Sequence, residues 1–237
     1  MLRELLQRAS ERIPSQCAVC GAWPVRPVCE ACVARFAQPL QRCDRCALAL
    51  SAPVRRCGAC LRNPPALDAC LAAVPYAYPW SGLILAWKFG GQSAWSAWFA
   101  QLMRSAPWVE PALEQSDLVL PMPLSRQRLR QRGFNQALEL ARKIDPSRAD
   151  ARLLLRIKDT PAQSTLKRSE RLRSVQSAFA VAPLRQAELR GARVLLVDDV
   201  MTTGASLNSA AAALHAAGAI HVTGLVLART DEPPDPA

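Results

Sequence analysis

Four C-x2-C pairs near the start of the chain constrain its fold more than any other feature of the sequence. They contain eight of the nine cysteines, and the gaps between successive pairs are 8, 10 and 10 residues. The two residues between paired cysteines form a tight turn, so both thiolates of a pair can bind one tetrahedral zinc ion. Two such turns complete a four-thiolate site with no position left open for catalysis. The sequence therefore predicts two structural zinc ions, bound by Cys17, Cys20, Cys29, Cys32, Cys43, Cys46, Cys57 and Cys60.

The order in which the pairs combine is open at this point. Sequential pairing, in which the first two pairs bind one zinc and the last two bind the other, suits the short hairpins of zinc ribbons. A cross-brace that joins the first pair to the third is the alternative. A redox dithiol is disfavoured because it occurs as a single pair. The ninth cysteine, Cys70, lies in an apolar stretch and is interpreted as a small core residue.

The start of the sequence favours zinc over disulfide bonds. Disulfides suit exported proteins, but Glu4, Arg8 and Glu11 interrupt the apolar stretch that a signal peptide would need. The first 14 residues instead have the pattern of a short amphipathic helix. No apolar run reaches the ~18–20 residues of a membrane helix. We therefore expect a cytoplasmic protein with reduced thiols and no membrane insertion.

Composition changes near residue 65, where Asn63-Pro64-Pro65 ends the cysteine-rich part with a turn signal. The pattern beyond it predicts strands at 67–78, 117–121, 153–157, 194–197 and 221–228, and helices at 80–89, 93–105, 133–144 and 205–217. Alternating strands and helices favour an α/β fold with a parallel sheet. We expect a zinc-ribbon domain at 1–65, an α/β domain at 66–230 and a disordered tail at 231–237.

The strongest functional signal is the segment that follows the apolar run Val194–Val197. A continuous apolar run is typical of a parallel strand buried on both faces, and ligands bind where such strands end. Here two carboxylates follow, and a loop of small and hydroxyl side chains then enters a helix whose N-terminus suits a phosphate. Carboxylates would repel a neighbouring phosphate unless they bind another group, and the hydroxyls of a ribose are the natural partner. The sequence predicts a ribose 5-phosphate site formed by Asp198, Asp199, Thr202, Thr203, Gly204, Ala205 and Ser206.

Positive charge is concentrated in the middle of the chain. The net charge is +11, and residues 117–190 alone carry +9. Four arginines alternate with other residues in this block. A helix would arrange them in two rows on different faces, whereas an extended segment would place all four on one side. A basic block suits polyanions such as single-stranded DNA. We expect four residues to project outward and contact nucleic acid: Arg126, Arg128, Arg130 and Arg132.

Several segments resemble known families. VLLVDDVMTTGAS, residues 194–206, resembles the 5-phosphoribosyl-1-pyrophosphate (PRPP) motif of type I phosphoribosyltransferases. The four cysteine pairs and three further segments resemble, in the same order, the ComF family of competence and DNA-utilisation proteins. These segments are LILAWKFGG (83–91), PMPLSRQRLRQRGFNQALELAR (121–142) and TPAQSTLKRSERLRSVQSAF (160–179). The resemblance covers nearly the whole chain and implies a type I phosphoribosyltransferase-like parallel sheet flanked by helices, with an N-terminal double zinc ribbon.

The resemblance also implies roles for individual residues. Asp198 and Asp199 match the acceptors for ribose hydroxyls, residues 202–206 match the 5′-phosphate loop, and PMPLSR (121–126) is similar in placement to the pyrophosphate loop. Mg2+ is expected to accompany PRPP, because charge concentrates on the departing pyrophosphate. Residues 158–174 resemble the loop that closes over PRPP, and its candidates for a catalytic contribution are Gln163, Lys167, Arg171 and Arg173.

Two classes of function fit these features. The first is a phosphoribosyltransferase that joins PRPP to a nitrogenous base and serves DNA utilisation or nucleotide salvage. The second is a non-catalytic protein that senses PRPP or a nucleotide 5′-phosphate while it contacts single-stranded DNA and a DNA-uptake helicase. The sequence offers no obvious general base, because its two histidines, His215 and His221, lie on the last helix and strand. The sequence also indicates no residues that would bind the acceptor base.

Overall fold

The computed structural model describes residues 15–23, 27–90, 95–157 and 178–231. The strands within them are β1 (Ala69–Pro75), β2 (Leu118–Pro121), β3 (Leu154–Arg156), β4 (Phe179–Val181), β5 (Arg193–Met201) and β6 (His221–Arg229). The helices are α1 (Glu30–Phe36), α2 (Gly58–Arg62), α3 (Trp80–Phe89), α4 (Trp95–Ser105), α5 (Val109–Glu114), α6 (Arg126–Arg132), α7 (Gln136–Ile144) and α8 (Ala205–Ala216), with a 3-10 helix at Pro183–Leu189. None of these described helices has the length and apolar character required to cross a membrane.

The centre of the fold is a four-stranded parallel sheet with the order β1–β6–β5–β2. Val194 of β5 pairs with Leu118 of β2 on one side and with Val222 of β6 on the other. The predicted parallel sheet flanked by helices is therefore confirmed. Because the four strands run in the same direction, they all end at one edge of the sheet, and the residues that follow them meet there.

The apolar run in β5 contributes to two cores, one on each face of the sheet. Val194 and Leu196 belong to the core that contains the buried face of α8, whereas Leu195 and Val197 belong to the core that contains α3, α4 and α7. Successive residues of a strand point to opposite faces, so a sheet covered on both sides has apolar residues at every position. The burial matches the interpretation of this run from the sequence.

Tryptophan side chains occupy the second of these cores. Trp80 and Trp87 are completely buried. The indole N–H of Trp87 donates to Ser96 Oγ at 3.1 Å, which satisfies its polar atom inside the core. Trp95 and Trp98 are partly buried and pack against the same cluster. The helical spacing of the tryptophans therefore reflects core packing.

The basic segment after β2 is helical, and the next helix starts later than the sequence predicts. α6 spans Arg126–Arg132, which decides between the helical and the extended alternatives. The start of the helix predicted at 133–144 is wrong, because Gly133 takes a left-handed conformation (φ 77°) that ends α6. Asn135 then caps a new helix, α7, by accepting the backbone N–H of Leu138. A turn at 133–135 therefore separates two helices.

β3 and β4 form a small antiparallel pair outside the main sheet. Leu154 and Phe179 from these strands pack in the same core as α8. Residues 158–177, which connect the two strands, lie outside the described residues. The candidates of the predicted closing loop lie there as well: Gln163, Lys167, Arg171 and Arg173. The predicted N-terminal helix and most of the predicted tail also fall outside the described ranges.

Candidate functional site

A cavity of about 970 Å3 opens at the edge where the parallel strands end. Residues that follow β1, β2, β5 and β6 line it, together with side chains of α3 and α6. Open α/β sheets bind their ligands at this edge. The charged and hydroxyl-bearing side chains on its wall are Tyr76, Lys88, Arg128, Arg132, Arg156, Asp198, Asp199, Thr202, Ser206, Thr230 and Asp231.

Asp199 is a buried carboxylate held by two cations. It is 8% exposed, and its Oδ2 lies 3.0 Å from Lys88 Nζ and 3.5 Å from Arg132 Nη1. Lys88 is itself only 9% exposed. A buried charge without a partner is strongly destabilising, so this cluster holds the C-terminal ends of α3 and α6 against β5. The two cations also leave a positive charge beside the end of the strand.

The neighbouring carboxyl group, Asp198, has a different environment. Burial, and next the charge of Asp199, raise the pKa of Asp198 to about 7. The backbone N–H of Asp199 donates to Asp198 Oδ1 at 2.9 Å and, like the charges of Lys88 and Arg132, acts in the opposite direction. Asp198 therefore changes its charge near neutral pH, unlike an ordinary surface aspartate.

Residues 202–206, here called the phosphate loop, connect β5 to α8. Gly204 adopts a left-handed conformation (φ 77°), and a Cβ at this position would collide with Met201 Cε. The left-handed backbone favours glycine at this position, and any Cβ there would also require the end of the Met201 side chain to move. Thr203 is not part of the cavity wall, and its Oγ1 accepts the backbone N–H of Ala205 at 3.4 Å. The loop residues that line the cavity are Thr202, Gly204, Ala205 and Ser206.

α6 divides the four arginines of the basic segment into two rows. Arg128 and Arg132 line the cavity, whereas Arg126 and Arg130 are exposed to solvent. The prediction that the whole cluster projects outward is therefore wrong for Arg128 and Arg132. Residues four apart lie on the same side of a helix, which is why the division follows the pairs 126/130 and 128/132.

The segment 132–136, RGFNQ, positions the loop that follows β2. Met122 in this loop donates its backbone N–H to Val197 O at 2.8 Å, and its carbonyl accepts the side-chain N–H of Asn135 at 3.1 Å. Gln136 Oε1 accepts from Arg132 Nη1 at 2.9 Å. Residues 122–124 line the cavity, but Asn135 and Gln136 do not. The motif therefore supports the wall, and the pyrophosphate role of residues 121–126 stays a prediction.

Sequence reasoning misses several residues of the wall. Lys88 is the most important, and its only signal is a single lysine near the end of an apolar helix. Phe89 is 64% exposed on the wall, with the guanidinium carbon of Arg132 5.4 Å from its ring centroid. Thr230 and Asp231 follow β6, and the argument that finds Asp198 at a strand end also applies to them.

Both histidines lie at the opposite edge of the sheet. His215 Nε2 lies 3.0 Å from Asp68 Oδ2, and His221 Nε2 lies 3.1 Å from Thr223 Oγ1. The described part of the cavity wall therefore contains no histidine, and no imidazole is placed there to act as a general base.

The paired cysteines form two compact clusters, and within each the four Sγ atoms lie within 4.8 Å of one another. The grouping is sequential, as in the first of the two predicted arrangements. Sulfur pairs 3.7 Å apart in the first cluster and 3.8 Å apart in the second match the ~3.8 Å between ligands of a tetrahedral zinc with bonds of about 2.3 Å. The first cluster is Cys17, Cys20, Cys29 and Cys32, and the second cluster is Cys43, Cys46, Cys57 and Cys60.

Backbone N–H groups are directed at one sulfur in each cluster. Cys29 donates to Cys17 Sγ at 3.4 Å, and Cys57 donates to Cys43 Sγ at 3.3 Å. Although burial opposes the change, the backbone N–H groups of Cys20, Cys29 and Val19 lower the pKa of Cys17 to about 6, whereas burial raises the pKa of Cys32 and of Cys46. Metal ions bind the thiolate form, and the backbone N–H groups stabilise that form at one sulfur of each cluster.

Comparison with known proteins gives a domain match and several related proteins. The Phosphoribosyl transferase domain matches residues 129–236. Competence protein F of Haemophilus influenzae is 33% identical over 180 residues, which cover 71% of this chain and 77% of that protein. DNA utilization protein YhgH of Escherichia coli is 29% identical over 177 residues, covering 72% and 76%. Competence protein ComFC of Bacillus subtilis is 37% identical over 97 residues, covering 41% and 38%.

Replacing Asp198 by asparagine should stabilise the protein at pH 8 and have little effect near pH 4. A carboxyl group whose pKa rises from 3.8 to about 7 on folding contributes stability in acid that is lost as the pH rises through that range. Asparagine keeps the shape of the aspartate side chain but does not ionise, so the variant does not lose this stability as the pH rises. Urea titrations at several pH values should show a gain in unfolding free energy of about 2–4 kcal/mol at pH 8.

The control for this measurement is Asp117→Asn, the same change at the opposite edge of the sheet, where Asp117 accepts the backbone N–H of Arg193. This variant should not reproduce the pH-dependent gain. A gain for Asp198→Asn that stays constant from pH 4 to pH 8 would contradict the assigned titration.

Proposed function

The chain belongs to the ComF family of competence and DNA-utilisation proteins, and we propose on this premise that it binds PRPP together with Mg2+. Its relatives are named for competence and for DNA utilization, and we infer the same process for this protein. The observation that carries the proposal is a shared location. The carboxylates of Asp198 and Asp199 line the same cavity as the phosphate loop and four cationic side chains: Lys88, Arg128, Arg132 and Arg156.

The charge of the cavity supports a ligand with several phosphates. Four cations stand against three carboxyl groups, and one of these, Asp198, loses its negative charge as the pH falls through about 7. PRPP carries a 5′-phosphate and a pyrophosphate, and a wall with excess positive charge raises the local concentration of such an anion. A neutral sugar without phosphates would gain nothing from this excess charge.

Each part of PRPP has a complementary part of the site. The backbone N–H groups and hydroxyls of the phosphate loop, at the start of α8, suit the 5′-phosphate. Asp198 and Asp199 accept hydrogen bonds from the ribose hydroxyls, and Lys88 balances the charge of Asp199 while they do so. Arg128 and Arg132 stand on the wall beside residues 122–124 and suit the pyrophosphate.

The donor set also fits Mg2+, which binds oxygen ligands and usually shares them with phosphates of the substrate. Asp198 and Asp199 are the residues that would hold it. When bound, Mg2+ neutralises charge on the pyrophosphate as that group departs. The chain's own contribution is to orient the ribose and to place Arg128 and Arg132 where they stabilise the same charge.

A phosphoribosyltransferase reaction is the activity that this arrangement favours. The bond between the ribose and the pyrophosphate breaks, and a nitrogen of the incoming base takes the vacated position. Pyrophosphate leaves with the electron pair of the broken bond, and because the described wall holds no histidine to take a proton, any proton lost from the acceptor nitrogen passes to solvent or to the released pyrophosphate. Incubation with pyrophosphate-labelled PRPP and a panel of bases tests this activity through release of labelled pyrophosphate.

A non-catalytic PRPP sensor that binds single-stranded DNA is the second candidate. One observation favours it: α6 presents Arg126 and Arg130 to solvent, next to a cavity that lacks a described imidazole base. Under this proposal the exposed row contacts DNA phosphates while Arg128 and Arg132 serve PRPP. Binding of PRPP and DNA without pyrophosphate release for any base would favour the sensor over the enzyme.

We propose in addition that each cysteine cluster holds one structural zinc ion. The sulfur spacing and the inward-directed N–H groups support this assignment. Four thiolates fill the coordination of zinc, so the role of the metal is to stabilise two short modules that contain little apolar core of their own. The zinc ions take no part in the chemistry of the cavity.

Replacing Asp198 and Asp199 together by asparagine should weaken PRPP binding at least tenfold. The change removes charged acceptors for ribose hydroxyls, and each hydrogen bond to a charged group is worth about 1.5–3 kcal/mol. Calorimetry with PRPP and Mg2+ measures the effect, with Asp117→Asn as the matched control. Unchanged affinity in the double variant would remove the basis of the proposed site.

Elemental analysis of protein purified without oxygen should return two zinc ions per chain. Cys43→Ser should retain one, because the four ligands of the first cluster stay intact. Cys70→Ser is the control, since Cys70 is equally buried but belongs to neither cluster, and it should retain two. Fewer than two metal ions in the parent protein would overturn the double zinc ribbon.

The two rows of α6 should separate DNA binding from PRPP binding. Arg126→Ala with Arg130→Ala should flatten the log–log dependence of single-stranded DNA affinity on salt by about one to two units, and should leave PRPP affinity unchanged. Arg128→Ala with Arg132→Ala should instead weaken PRPP binding. Fluorescence anisotropy across a salt series and PRPP titrations measure the two effects. Equal salt slopes in parent and Arg126/Arg130 variant would refute the DNA role of the exposed row.

A further inference from the structure

We propose that the second cysteine cluster holds the phosphate loop in its binding conformation, and that Arg229 is the positioning residue that connects them. The inference deepens the proposed function, because it assumes that residues 202–206 bind the 5′-phosphate of PRPP. It adds that phosphate affinity depends on an intact second cluster and does not depend on the first cluster.

Arg229 is a buried arginine at the end of β6 that contacts both parts. It is 7% exposed, and it pairs in register with Met201, the last residue of β5. Its Nε donates to the carbonyl of Cys46 at 3.0 Å, and its Nη1 donates to the carbonyl of Met201 at 3.4 Å. One guanidinium therefore joins a cysteine of the second cluster to the residue that directly precedes the phosphate loop.

Met201 in turn determines the shape of the loop above it. Its carbonyl also accepts the backbone N–H of Thr230 at 3.0 Å, so two donors fix the end of β5. Its side chain lies beneath Gly204, so closely that a Cβ at Gly204 would overlap Met201 Cε. A shift of Met201 therefore moves the support of Gly204, the residue that precedes α8.

Further contacts dock the second cluster against the same rim of the cavity. Asp231, which lines the cavity, accepts from the backbone N–H of Ala49 at 3.2 Å and from Arg42 Nη1 at 3.4 Å. The carbonyl of Asp44 accepts the backbone N–H of Cys70 in β1 at 2.9 Å. The residues around the second cluster are thus bonded to two strands of the sheet, to β1 at Cys70 and to the end of β6 at Arg229 and Asp231.

The first cluster has a different place in the fold. Its Cys32 belongs to the core on the other face of the sheet, together with Trp80. The carbonyl of Phe36, at the end of α1, accepts the indole N–H of Trp80 at 2.8 Å. This contact reaches the start of α3, and none of the hydrogen bonds among the described residues joins the first cluster to β5 or the phosphate loop. The first cluster therefore packs against the start of α3, whereas the second cluster is connected through Arg229 to the end of β5.

Hydrogen–deuterium exchange on the full-length protein tests the inference without a ligand. Cys43→Ser should accelerate exchange in peptides that contain residues 200–208 by about tenfold, the worth of one hydrogen bond to a charged group. Cys17→Ser removes the matching ligand of the first cluster and should leave these peptides within about twofold of the parent. Arg229→Met keeps all eight zinc ligands and should accelerate exchange like Cys43→Ser, while Arg229→Lys should recover part of the protection.

Coupling between the sites supplies a readout that a purely structural role would not change. If the cluster and the loop are coupled, ligand bound at the loop also stabilises the cluster. In the Cys17→Ser variant, whose remaining zinc is in the second cluster, saturating PRPP should slow zinc release to a chromogenic chelator about tenfold. Adding Arg229→Met should abolish this protection while the zinc content stays at about one ion per chain.

The outcomes separate this inference from the proposed function. Unchanged exchange at residues 200–208 in both Cys43→Ser and Arg229→Met overturns the inference, even where PRPP binds. Faster exchange in a protein that shows no PRPP binding by calorimetry refutes the proposed ligand but supports the positioning role. A PRPP dissociation constant raised about tenfold by Arg229→Met and unchanged by Cys17→Ser supports both.

Discussion

The buried ion cluster of Asp199, Lys88 and Arg132 is the interaction on which the cavity depends. A carboxylate at the end of a buried strand is costly unless cations accompany it, and the two cations come from helices on separate segments of the chain. Forming the cluster brings the ends of α3 and α6 to β5 and places Phe89 and Arg128 on the wall. The charge that suits ribose hydroxyls is thus maintained by the fold before any ligand arrives.

The parts of this structure that are predictable from the sequence are those encoded in short-range patterns. The run Val194–Val197 predicts a strand buried on both faces, and its position places Asp198 and the phosphate loop at the edge where the cavity opens. The cysteine spacing predicts two four-sulfur groups, and the structure brings the sulfurs together in that order. Both features are visible in a short stretch of sequence, and one rule of geometry is enough to interpret each of them.

Most parts of the site that could not be predicted depend on contacts between residues that are distant in the sequence. The local sequence around Lys88 does not indicate an ion-pair partner, because the ion pair with Asp199 forms only when α3 packs on the sheet. The arginines of α6 are misjudged for a related reason. Their helical periodicity separates two rows, but only the packing of α6 decides that Arg132 turns inward. Gly133 is a local error, since a glycine that ends one helix resembles a glycine near the start of the next.

The crowding between Gly204 and Met201 has a consequence for how this protein can vary during evolution. A side chain at position 204 meets two separate obstacles, the left-handed backbone and the Met201 methyl group beneath it. A smaller residue at position 201 removes the second obstacle and leaves the first. A smaller residue at position 201 therefore cannot fully compensate for the loss of this glycine, because the cost of the left-handed backbone remains.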